Sequence, residues 1–209
     1  MGSLRVLGLM VLGAVVYWVS VVLAMHSLQP EINPIRVPMS AYVLGAYGDW
    51  MTTTYFVWSA VLLAVGHGLV RTLSRTRLTR AALSMFLIAA AAVSLAGLFP
   101  MDFPPPIRTL SGRLHMLGGL LTFPSQALGV FLFSLAFRRD VYWRKASVSA
   151  LALSAGIIAV FVLAVISLMI LSFAGYAQRL YLILLIAWIV VVGLHLARFP
   201  PEESRAGRR

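Results

Sequence analysis

The chain contains no cysteine. That absence excludes disulfides, thiolate metal sites, cysteine nucleophiles and covalent haem attachment. Acid is also scarce: six Asp and Glu among 209 residues, against 17 Lys and Arg. Lysine occurs once, at Lys145. Charged residues make up 11% of the chain, where a soluble domain carries about 25%. No Asp, Glu or Lys falls inside the long apolar runs. Ion-coupled pumps usually carry acids at mid-depth, so their absence argues against one.

What the chain has in quantity is apolar surface. It is 61% hydrophobic, with mean hydropathy +0.93. A helix needs about 20 mostly apolar residues to cross about 30 Å of hydrocarbon. Six runs qualify: 6–25, 55–73, 81–100, 114–137, 148–175 and 180–199. Lipid cannot satisfy open backbone groups, so each run is expected to be a helix. The expectation is an all-α polytopic membrane protein, a bundle of six transmembrane helices. It forms one membrane domain over 1–199, followed by a polar cytoplasmic tail at 200–209. The first run carries Arg5 and a VLA sequence before Met25, which a signal peptide also shows. Its length favours a retained span.

The basic residues set an orientation. Thirteen of the 17 lie at one set of span ends, and Arg36, Arg108, Arg113 and Arg179 lie at the other. The positive-inside rule then puts both termini in the cytoplasm. The net charge of +11 is spread over short loops with no recognition element. It suits anionic membrane lipid rather than nucleic acid. The cytoplasmic connections, SRTRLTR and RRDVYWRKA, have no room for a domain. The longest outer connection is 26–54. Long loops of this kind are often functional. Within it, Tyr42, Tyr47 and Trp50 suit the interface, and a short helix on or dipping into the outer leaflet is expected. Gly45 and Gly48 allow turns or close backbone approach.

Chemistry-bearing residues gather at the outer ends of the spans. Ser40, Asp102, His115, Gln178 and Arg179 are all placed there by the span order. Asp102 and Arg179 are expected to pair. His115 is expected to give one ring nitrogen to Asp102 and present the other to a ligand, as a general base or a headgroup contact. Ser111 shares a face with His115 only if the fourth helix begins before it. A plainer reading competes: Asp102 caps its loop, and Gln178 and Arg179 solvate a turn. No metal site is expected, since a three-ligand zinc site from His26, His115 and Asp102 needs His26 to turn inward.

The four histidines, His26, His67, His115 and His195, divide two and two between the membrane faces. That pattern would suit two bis-histidine b-type haems. In the fourth span, Pro124 breaks the helix ladder. Gln126 then either satisfies a freed carbonyl, the favoured role, or lines a cavity. Trp58 and Trp188 are read as apolar filling. The small residues of the third span are read as packing within the bundle rather than as a dimer seam.

Several segments taken together resemble a bacterial and archaeal membrane family, domain-of-unknown-function family 998. They are PMSAYVLGAYGDW, GLFPMD, the LH opening the fourth span, and GYAQR followed by LYLILLIAW. The resemblance covers roughly 5–198. It implies six spans in a bacterial or archaeal cytoplasmic (inner) membrane. It marks Ser40, Gly97, Phe99, Pro100, Asp102, His115, Gln178, Arg179 and Trp188, and it supplies no activity and no cofactor. The expected function is binding of a small amphiphile, a lipid headgroup or a partner membrane subunit at the outer rim. Asp102 and Arg179 would be its charged pair, His115 its acid/base group, and Ser40 and Gln178 its hydrogen-bonding support. The alternatives are a hydrolase of a lipid or isoprenoid using the same residues, a haem electron carrier, and an assembly subunit.

Overall fold

The structure is a computed structural model and describes residues 3–170 and 173–200, with side chains given outside 167–170. The end of the fifth expected run and the tail from 201 lie outside the described residues. Six helices form: α1 (Ser3–Leu28), α2 (Gly48–Thr72), α3 (Arg77–Leu98), α4 (Leu110–Phe137), α5 (Ser147–Ile170) and α6 (Ala174–Ala197). All six are long and apolar enough to cross a membrane. Among the described residues there is no strand. The protein is a multi-pass, all-α membrane protein.

Every helix starts ahead of its apolar run, and three of the starts bear on the site. α2 begins at Gly48, seven residues before Tyr55, and takes in the polar stretch 52–54. Those threonines return their hydroxyls to their own helix: Thr52 to the Gly48 carbonyl, Thr53 to Trp50 and Thr54 to Met51. Their polarity is thus absorbed without breaking the ladder. α4 begins at Leu110, where the Thr109 hydroxyl accepts the Gly112 amide as an N-cap. α6 begins at Ala174 and joins Gln178 and Arg179 to the helix proper, so the expected turn at that point is one turn of helix instead. α3 is stopped and started by side chains as well: Thr76 and Thr79 form a reciprocal capping box at its N-terminus.

Each helix packs on its chain neighbour, and α1 packs on α6, so the six close into a ring. The tightest seam joins α3 and α4. A methyl group at Gly118 would stand 2.7 Å from the Ala92 carbonyl oxygen and 2.9 Å from the Ala96 methyl. The small residues of the third span therefore serve packing within the chain, as expected.

The ring has two unlike halves. One face carries the start of α1, the end of α6 and most of the described basic residues, and is called the basic face here. Its half is filled with aromatic rings. Phe137 stacks between Trp143 and Trp188, and Phe86 sets its edge against Phe133 and Trp188. Each such pair is worth about 0.5–1.5 kcal/mol beyond its buried area. The indole nitrogens are satisfied: Trp143 donates to Thr72 Oγ1 and Trp188 to Ser134 Oγ. Trp188 is core filling, as expected. The other half is less completely filled, and the candidate site lies there.

Candidate binding cavity

The α1–α2 connection folds inward over this second face. Its 3-10 helix, Met39–Leu44, buries Met39, Ser40, Ala41 and Tyr42. The expected interfacial helix is thus a plug packed between α2 and α6, and it touches protein more than lipid. Tyr47 and Trp50 are the exposed aromatics that remain to face the interface. The chain doubles back tightly here: a Cβ on Gly48 would collide with the Val43 carbonyl oxygen.

Side chains from α1 and α6 hold this cap through its backbone. Gln29 donates to the Tyr42 carbonyl at 3.1 Å. Gln178 accepts the Met39 amide at 2.8 Å, and the Tyr176 amide reaches the Ile35 carbonyl at 2.9 Å. Arg179 does most. Its Nη1 donates to the carbonyls of Pro34 (2.7 Å), Val37 (3.1 Å) and Gly175 (3.0 Å). Its Nη2 reaches the Tyr42 hydroxyl at 3.4 Å, and its Nε donates to His26 Nε2 at 2.9 Å. The guanidinium lies 5.9 Å from the Tyr42 ring centre. His26 is fixed as the Nδ1–H tautomer, since its Nδ1 faces the Val22 carbonyl at 2.7 Å.

Below the cap is a cavity. It offers about 70 Å³ to the centre of a water-sized sphere. Its walls come from α1, α2, α3, α4, α6 and the cap; Ser40, Thr54, Tyr55, Trp58, Thr122, Gln126 and Gln178 are its polar members. The Ser40 side chain lies beside the Tyr55 hydroxyl. Three residues do not find partners: Trp58 Nε1, Thr122 Oγ1 and both amide atoms of Gln126 are buried without a hydrogen bond.

Two expectations about these residues are corrected. Gln126 does not satisfy a carbonyl freed near Pro124. The carbonyl that loses its donor at Pro124 is that of Leu120, four residues earlier; the Tyr181 hydroxyl enters the ladder next to the proline, donating to the Phe123 carbonyl at 2.8 Å. A side chain entering the ladder beside a proline is a known cause of helix distortion. Trp58, read as filling, presents an unpaired N–H. A spacing signal was present in the sequence: Thr122 and Gln126 on α4, and Thr54 and Trp58 on α2, are each four apart and share a helix face.

The expected charged pair does not form. Asp102 accepts the amides of Arg108 (2.6 Å) and Thr109 (2.8 Å) and the Thr109 hydroxyl (2.8 Å). Arg179 is engaged with the cap. Nor does Asp102 orient His115, whose Nδ1 lies 2.9 Å from the carbonyls of both Ala96 and Phe99. Two carbonyl partners require Nδ1 to carry the proton. The reason is chain economy: α3 ends at Leu98 with open carbonyls, and His115, one turn into α4, closes them. Ser111 lies on the same helix face as His115, because α4 starts ahead of it, and donates to the Pro100 carbonyl at 2.8 Å. Asp102 and His115 thus lock the α3–α4 connection. His115 approaches the cavity through Tyr55, whose ring centre is 6.1 Å from its own.

The Asp102 carboxyl is held below the usual carboxylate range, first by the Thr109 amide and hydroxyl and then by the Arg108 amide. A depressed folded-state pKa gives stability that is present above the unfolded value and lost as pH falls through the folded one. Corrected for the intrinsic rate at each pH, hydrogen exchange at the Arg108, Thr109 and Gly112 amides should therefore be flat near neutrality and rise below about pH 4. In Asp102→Ala it should be fast at every pH. Slow exchange in that variant would remove the carboxylate from this role.

The four histidines do not suit paired haems. Both ring nitrogens of His26 are engaged, and His67 points out of the bundle with an exposed side chain. His195 Nδ1 bonds to the Val191 carbonyl, and its ring stacks on Trp143. Among the described residues no three His, Asp or Glu side chains gather as a metal set.

The sequence matches the family described as Protein of unknown function (DUF998) over residues 11–195. The chain belongs to that family. No curated protein and no solved structure matches it. The positions marked by the DUF998 resemblance fall into separate places. Ser40, Gln178 and Arg179 belong to the cap and its latch. Phe99, Pro100, Asp102 and His115 belong to the α3–α4 lock, with Gly97 packed on Tyr55. Trp188 belongs to the aromatic half.

Proposed function

We propose that this DUF998 protein binds a small amphiphile at the outer face of a cytoplasmic membrane and receives its polar end in the cavity beneath the cap. The orientation rests on the basic residues, which gather at the face opposite the cap. The observation that carries the reading is the pairing of an incompletely filled polar cavity with a folded-in segment that covers it. The basic half, by contrast, is filled by the stacked rings of Phe137, Trp143 and Trp188. Long connections that fold over a pocket are commonly binding elements. The hydrolase alternative has less support, since Ser40 faces Tyr55 and His115 is occupied in closing α3.

The test is native mass spectrometry of protein released gently from its own membrane. The wild type is expected to carry a small-molecule adduct of defined mass. Thr122→Phe, which fills the cavity from α4, is expected to lose it. A bare wild type, or an adduct kept equally by Thr122→Phe, overturns the reading.

A further inference from the structure

The cavity's donor and acceptor inventory narrows what it can hold. Trp58 offers one N–H and can accept nothing. Gln126 offers two N–H donors and one carbonyl, and Thr122 offers a hydroxyl that can act either way. All four of these polar atoms are buried without a protein partner. Gln126 is 1% exposed, Trp58 3% and Thr122 6%. A group that satisfies them must bring at least one strong acceptor and one donor close together.

Charge is the second constraint. The cavity wall contains no Asp, Glu, Lys, Arg or His. The nearest guanidinium described above, Arg179, has each of its three nitrogens bonded to the cap, His26 or the start of α6. A phosphate or ammonium group placed here would be buried without a counter-charge, which is strongly unfavourable. A neutral group meets no such penalty.

Size is the third. About 70 Å³ of space for sphere centres holds a few non-hydrogen atoms, taking roughly 10–15 Å³ per water-sized sphere. That accommodates a head but not a whole lipid. Trp18, Met39, Met51, Phe123 and Leu182 supply the apolar wall for the first carbons beyond it.

We propose that the cavity selects an uncharged head with adjacent carbonyl and N–H or O–H groups, an amide-type or glycerol-ester amphiphile, with Gln126 and Trp58 as its recognising residues. A carboxamide fits most fully: its carbonyl takes the Trp58 and Gln126 N–H groups while its own N–H meets the Gln126 carbonyl. This inference rests on the cavity-binding reading above and adds its chemical class.

The experiment titrates the full-length protein in a neutral detergent with three probes sharing one oleoyl chain: oleamide, monooleoylglycerol and lysophosphatidate. Tryptophan emission is the readout, since Trp18 and Trp58 line the cavity. The two neutral probes are expected to bind at least tenfold more tightly than lysophosphatidate. Gln126→Leu and Trp58→Phe are each expected to weaken the neutral probes about tenfold and to leave the lysophosphatidate response unchanged. Two variants are used so that a folding failure in one does not decide the matter. Lysophosphatidate binding as tightly as oleamide, or neutral binding unmoved by both substitutions, overturns the chemical class. If no probe responds, this inference falls, and the membrane-derived adduct separately decides whether the cavity binds anything.

Discussion

Gln126→Leu is expected to make the ligand-free protein more stable while weakening its hold on a ligand. Both polar atoms of the Gln126 side chain are buried without partners. A buried group left without its hydrogen bond costs about 1–3 kcal/mol. Leucine has a similar reach, no polar atoms, and apolar neighbours in Phe123 and Leu182. Replacing the amide should therefore raise the thermal midpoint, by about 2–4 °C per kcal/mol gained in a chain of this size. A structural glutamine would show the opposite: its loss would open a hole in a hydrogen-bond network and lower the midpoint. Stability and function pulling apart at one residue is the mark of a site kept for binding rather than for folding. A fall of the midpoint in Gln126→Leu would mean that Gln126 is satisfied in the folded protein and supports its packing.

The parts of this molecule legible in its sequence are those set by bulk solvent preference. Six apolar runs of sufficient length left little freedom, and six helices formed. Their starts were less legible, because a run such as 52–54 looks polar when its hydroxyls return to its own helix. The rim residues show the same divide more sharply. Ser40, Gln178 and Arg179 were placed at one face, and Gln178 and Arg179 both bond to the segment that carries Ser40. What they meet was invisible, since Arg179 holds the carbonyls of Pro34, Val37 and Gly175. Every residue carries such a carbonyl, so no pattern of side chains announces which ones a guanidinium will take. The natural guess from side chains alone was opposite charge, and Asp102 was the acid available. That acid is consumed by its own loop, where Thr109 lies seven residues away and was the easier partner to reach. Gln126 was recognisable as expensive at membrane depth. Its lack of a partner is a property of the space around it, which only the packing of five helices defines.

Arg179→Ala is expected to open the cap and to be the most damaging single substitution at this face. The side chain makes five hydrogen bonds to groups drawn from α1, the cap and the first turn of α6. Hydrogen bonds to a charged donor are worth about 1.5–3 kcal/mol each where measured singly. They share one side chain and are not additive, so a net loss of about 3 kcal/mol or more is the expectation, as for breaking other buried charged contacts. Arg179→Lys should recover little. A lysine offers a compact ammonium, whereas the guanidinium here uses its Nε edge for His26 and its two far nitrogens for the cap and Tyr42. The absence of native cysteine gives a clean measurement. A single cysteine replacing Met39, which is 3% exposed, is expected to react slowly with a membrane-impermeant maleimide added outside intact cells. Combined with Arg179→Ala or Arg179→Lys, it should react at least tenfold faster. Equal rates in the three proteins would show that the remaining contacts of Gln29, Gln178 and Tyr176 hold the cap without the arginine. Reaction only after the cells are opened would instead invert the proposed orientation. The physical logic joins this arginine to the cavity: a segment whose main-chain carbonyls converge on one side chain can be released as a unit. Such a cover can admit a ligand to the polar chamber beneath it.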